Sequence, residues 1–158
     1  MPTLKEAADD FLAQRRIAVA GVSRTDSGHG ANVVYKGLRN AGYEVFAVNP
    51  NAEELDGDPC YRDLKSVPGG VDAVVVGTAA ADSATVVRDC AELNIRRVWL
   101  HRSFGGGSVS DEATELGRRS GITVIAGACP MMFLPRADIG HRCMRWALGL
   151  TGGLPKEV

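Results

Sequence analysis

The chain has 158 residues, 45% of them hydrophobic, and a formal net charge of −1. That balance predicts one domain over 1–158 with a substantial core and excludes bulk electrostatic attraction to nucleic acid or an anionic membrane. No apolar run approaches the roughly 20 residues of a membrane span.

The N-terminal stretch carries Glu6, Asp9 and Asp10 and no apolar h-region, so the expected location is cytoplasmic. Cys60, Cys90, Cys129 and Cys143 are widely spaced, which predicts reduced thiols rather than a disulfide framework or a metal centre. In chain order, Leu4, Ala7, Ala8, Phe11 and Leu12 predict a helix over 3–15. The run Ile17–Ala20 predicts a buried strand that stops at Gly21. A polar turn, Val22 to Gly30, leads into a helix with Val33, Val34, Leu38 and Ala41 on its inner side. Tyr43 to Val48 is a second strand, ending on Asn49-Pro50. Asn51 to Pro59 is polar and holds an Asp56-Gly57 turn signal.

Val71 to Gly77 is a third strand, apolar without alternation, as when both faces of a parallel sheet are covered. A helix over Asp82–Leu93, a strand over Arg97–Leu100 and the glycine run 105–107 follow. Ser110 opens a further helix to about Ser120, and Ile122–Ala126 is a fifth strand. A last helix, 137–150, places Ile139, Cys143, Trp146 and Leu150 on one face, with Trp99 and Trp146 read as core residues. The regular alternation predicts an α/β, Rossmann-like fold: an open parallel five-stranded sheet of order 3-2-1-4-5 with helices on both faces, its core at 16–136.

In such sheets ligands bind beyond the carboxyl ends of the strands, where the strand order reverses. The first turn, Gly21 to Ser27, can aim backbone N–H groups and a helix N-terminus at a phosphate, with Gly21 leaving room for its approach. Ser23 adds a hydroxyl and Arg24 a charged donor. The glycines do not spell G-x-G-x-x-G, and Asn49-Pro50 stands where a nicotinamide dinucleotide's ribose meets an acid. Both departures argue against an NAD enzyme.

The runs Ile17–Arg24, Gly42–Pro50, Val71–Val76, Val98–Leu100 and Cys129-Pro130 resemble the small stand-alone CoA-binding domain proteins, which are similar to the CoA-binding domain of the succinyl-CoA synthetase α subunit. The resemblance implies coenzyme A as ligand. It puts the pyrophosphate on Gly21, Val22, Ser23 and Arg24, the adenosine half near Val48, Asn49, Pro50 and Thr78, and the pantetheine arm toward His101. No basic residue follows the third strand at Gly77-Thr78-Ala79-Ala80, which leaves the 3′-phosphate without an assigned partner, and Arg102 is a candidate to replace it.

No nucleophile–base pair or metal set can be assigned. The expectation is therefore a binding module for CoA or an acyl-CoA, with a carrier, sensor or regulatory role and no catalytic residues. An NAD(P)-binding oxidoreductase and a CoA-binding subunit of a larger enzyme are the alternatives, and a protein partner or homo-oligomer stays open. His141 is read as a surface residue and Cys129 first as a buried thiol, second as one facing the site.

Overall fold

The computed structural model describes residues 2–26, 28–102, 107–134, 139–155 and 158. Ser27, the glycines at 105–106, Arg136 and the predicted start of the last helix lie outside them. In chain order the elements are α1 (Leu4–Leu12), β1 (Arg16–Ala20), α2 (Gly30–Asn40), β2 (Glu44–Val48), β3 (Glu54–Leu55), β4 (Asp58–Tyr61), β5 (Ala73–Val76), α3 (Ala80–Glu92), β6 (Arg97–Leu100), α4 (Asp111–Arg119), β7 (Thr123–Ala126) and α5 (Ile139–Thr151).

The sheet has two covered faces, which is why its strands are apolar without alternation. Ile17, Val19, Ala73, Val75, Trp99 and Ile125 belong to one buried layer with Ala7 and Phe11 of α1 and Val34 and Leu38 of α2. Their neighbours Ala18, Ala20, Val74, Val76, Val98, Leu100 and Val124 belong to the other, with Ala84, Val87 and Cys90 of α3 and Ala113 of α4. Each fully buried Val, Leu or Ile stabilises the fold by about 1.5–3 kcal/mol relative to exposure. Trp99 is completely buried and meets the edge of Phe11 at 5.3 Å between ring centroids.

The α/β class is as expected, but the sheet has seven strands in the order β3-β4-β2-β1-β5-β6-β7. The expected order put the strand at 71–77 beside β2. That strand, β5, instead pairs in parallel with β1, Ile17 opposite Ala73 and Ala20 opposite Val76. The place beside β2 belongs to β4, parallel through Ala47↔Cys60 and Val48↔Tyr61. A two-residue turn at Asp56-Gly57, with φ of 51 and 86, folds β3 back antiparallel onto β4. Counting only the parallel strands, the order becomes 3-2-1-4-5-6, and the chain reverses direction across the sheet between β1 and β5.

Several helix boundaries and faces differ from expectation. α1 is shorter at both ends: Thr3 is its N-cap and forms a capping box with Glu6. In α2 the buried residues are Ala31, Asn32, Val34, Tyr35 and Leu38, while Val33 is 41% exposed. In α5 three residues of the expected inner face lie outward: Trp146 and Leu150 are each 70% exposed and Cys143 is exposed. Leu148 is buried instead, with Met144 packed beside it on the same layer, and Arg145 lies over the Phe133 ring at 4.4 Å.

Candidate functional site

The reversal point gathers the ends of β1, β2 and β5 with the starts of α2 and α3. Gly21 follows β1 directly and donates its N–H to Val48 O at 3.0 Å. Its φ is +89, and a Cβ built there would lie 2.5 Å from Thr78 N and 2.7 Å from Gly77 C. Glycine is therefore demanded by the backbone of the neighbouring strand's turn, before any phosphate is considered. Val22 is buried beneath the turn.

Ser23 is held by a residue that the sequence did not single out. Its N–H donates to Asn32 Oδ1 at 2.7 Å, and Asn32 Nδ2 donates to Ser23 O at 2.7 Å. Asn32 lies in the first turn of α2 and is 1% exposed. The available signal was a lone amide between Ala31 and Val33 in an otherwise apolar helix start. Ser23 Oγ accepts from Asp26 N at 3.0 Å and Thr25 N at 3.3 Å, which folds the turn back on itself. A hydroxyl in that position still has its own proton to donate. At the start of α2, His29 Nδ1 accepts from Ala31 N at 3.3 Å.

Asn49 ties the end of β2 to this turn. Its Nδ2 donates to Val22 O at 2.7 Å, and its Oδ1 accepts from Asn51 N at 2.8 Å. Arg24 crosses the same gap, with Nη1 donating to Asn51 O at 3.0 Å. Pro50 is exposed at the tip and Val48 is buried below it. Gly21, Val22, Ser23, Arg24, Val48, Asn49 and Pro50 therefore share one edge.

Thr78 does not sit beside Asn49; because β5 pairs with β1, it lies on the opposite flank of Gly21. Its Oγ1 is 3.3 Å from Ser83 Oγ, and its carbonyl accepts from Ser108 Oγ. Ser83 Oγ in turn donates to Ser108 O at 2.6 Å, so two buried serines hold this flank. His101 follows β6, one strand further on, and its ring packs against Gly30: a Cβ on that glycine would lie 2.8 Å from Cε1. Burial first, and then the nearby His29 and His141, push its pKa down to about 4, so the ring is neutral at pH 7.

Arg102 donates its backbone N–H to Ala128 O at 3.0 Å, and its guanidinium reaches Gly127 beyond β7. Cys129 is buried, at 3% exposure. Among the described residues no group of three His, Cys, Asp or Glu side chains could hold a metal ion. None of their helices is long and apolar enough to cross a membrane. The N–H groups of Gly21, Ser23, Thr25 and Asp26 are engaged within the protein, so this edge offers the Ser23 hydroxyl and the Arg24 guanidinium as donors, and Asn49 rather than an acid at the end of β2.

A family model described as a CoA binding domain matches residues 15–135. The chain belongs to that CoA-binding domain family. It is 30% identical over 129 residues to the uncharacterized protein YneT of Bacillus subtilis (strain 168), covering 81% of this chain and 91% of that protein. It is 27% identical over 119 residues to acetate–CoA ligase [ADP-forming] I of Archaeoglobus fulgidus, covering 72% of this chain and 17% of the ligase. The match thus spans only about a sixth of that enzyme. A hypothetical protein from Pyrococcus horikoshii OT3 has the same fold, with a TM-score of 0.76, 24% identity, and coverage of 87% of this chain and 96% of that one. The CoA-binding domain family is the one the runs through Gly21 and Asn49-Pro50 led one to expect, and the matched region is similar to part of the ADP-forming acetate–CoA ligases.

Proposed function

We propose that the chain binds coenzyme A or an acyl-CoA and serves as a one-domain cytoplasmic carrier, sensor or regulatory module without chemistry of its own. The observation that carries this reading is the Gly21–Ser23 turn, held by buried Asn32, beside a β2 end that offers Asn49 and no acid. The residues fit the ligand. The pyrophosphate lies against the turn of Gly21, Val22 and Ser23, where the Ser23 hydroxyl and the positive end of α2 meet it, and Arg24 reaches past it to the β2 loop. The adenosine half lies toward Val48, Asn49 and Pro50, with Thr78 on the far flank of Gly21. The pantetheine arm runs toward His101, whose neutral ring can both donate and accept a hydrogen bond. A second reading, a subunit that supplies CoA binding to an enzyme in another chain, is supported by the ligase relative of which this chain matches 17%.

Titration calorimetry with CoA, acetyl-CoA and NAD, run beside a thioester-hydrolysis assay, tests the proposal. Saturable one-site heat with CoA and acetyl-CoA and no turnover is the expected result. Heat with NAD alone, or steady hydrolysis that follows the purified protein, would overturn it.

A further inference from the structure

We infer that Arg24 reads the phosphate on the ligand's ribose and so sets a preference for coenzyme A over dephospho-coenzyme A; the inference rests on the coenzyme A reading above. The ligand carries two anions, a diphosphate and a ribose 3′-phosphate. The diphosphate is met by the Ser23 hydroxyl and the start of α2, at the end of β1, because the Gly21 and Ser23 N–H groups are already given to Val48 O and Asn32 Oδ1. The guanidinium of Arg24 does not stay over that turn. It crosses to the β2 loop, where Nη1 donates to Asn51 O at 3.0 Å. Asn49 fixes this perch from both sides, through Val22 O at 2.7 Å and Asn51 N at 2.8 Å. In a doubly wound nucleotide site this is where the adenosine ribose lies.

A guanidinium has five N–H donors in a rigid fork suited to phosphate, and Arg24 spends one of them here. No carboxylate of the described residues pairs with it. Lys36 and Arg39 of α2 lie toward the amino ends of the strands, where Lys36 pairs with Asp56 at 3.1 Å and Arg39 with Asp58. Arg62 follows β4 at the same edge, one strand further from β1, and serves as the comparison cation in the test. Arg102 follows β6, three strand spacings or about 14 Å from β2, and reaches toward Gly127. NADP also carries a ribose phosphate, so the test must separate the two sources.

The test measures dissociation constants of CoA, dephospho-CoA and NADP for the wild type, Arg24→Gln and Arg62→Gln at one salt concentration, with ligand-free melting as the check on folding. The wild type is expected to prefer CoA over dephospho-CoA by about ten- to a hundredfold, the range of a charge-assisted contact. Arg24→Gln should lose that preference while its affinity for dephospho-CoA stays within about threefold, and Arg62→Gln should keep it. Equal weakening of both ligands in Arg24→Gln, or loss of the preference in Arg62→Gln, would overturn the assignment and leave the coenzyme A reading standing. A wild type that binds no CoA, or binds NADP more tightly, would overturn both.

Discussion

Buried Asn32 and half-buried Ser23 exchange two hydrogen bonds, so the amide and the turn depend on each other. Asn32→Ala leaves the Ser23 N–H and carbonyl without those partners and should destabilise the fold by about 2–4 kcal/mol, read from urea unfolding. A loss under about 0.5 kcal/mol, the range of a neutral surface change, would show that the turn holds without the amide. Gly21→Val cannot isolate the phosphate site, because its Cβ meets the Thr78 backbone and its φ is +89. His101 gives a pH signature. Its pKa falls from 6.5 unfolded to about 4 folded, so between those values the unfolded chain binds a proton that the native chain does not. The ring's contribution is present above pH 6.5 and is lost as pH falls toward 4. Stability of the wild type should therefore drop more steeply than that of His101→Asn across this window, by on the order of 1–3 kcal/mol. Parallel curves would contradict it. Gly21 and Ser23 were legible because turn chemistry is local. Asn32, Ser83 and Ser108 were not, because a buried polar residue is identified by its partner, and those partners lie 9, 25 and 30 positions away.

At the scale of elements, the strands that announced themselves are those covered on both faces, and the missed ones are β3 and β4. Asp58-Pro59-Cys60-Tyr61 has no apolar run, and Pro59 removes a donor. It joins the sheet because Leu55 and Cys60 are buried, and because Tyr35 and Arg39 of α2 bind Asp58 from above. Missing that strand displaced β5 in the expected order, and Thr78 with it. The Asp56-Gly57 turn was legible, since its residue types tolerate the positive φ a tight hairpin needs. The two tryptophans separate helical pattern from actual burial. Trp99→Ala should destabilise by about 3–5 kcal/mol, as for other fully buried aromatics. Trp146→Gln should change stability by less than about 0.5 kcal/mol, because the ring is 70% exposed. Comparable losses in chemical denaturation would mean that α5 packs on the face the sequence pattern suggested. The pattern failed there because Ile139, Cys143, Trp146 and Leu150 make as regular a stripe as Met144 and Leu148.

For the whole molecule, the topology makes the site. From β1 the chain goes outward through β2 on one side, and from β5 to β7 on the other, so the direction of travel reverses between β1 and β5. Gly21 sits at that point with α2 aimed toward it, while Asn49 closes the β2 side without the acid that would orient a free ribose diol. Coenzyme A should therefore stabilise the native state and NAD should not. Binding to the folded chain alone is worth about 2.7 kcal/mol at a hundredfold excess over Kd. For a domain of this size that raises the melting temperature by roughly 5–10 °C. The direct measurement is the melting temperature of the purified chain with saturating CoA and, separately, NAD. A rise of that size with CoA and none with NAD is the predicted result, and a rise with NAD equal to or larger than that with CoA would contradict the account.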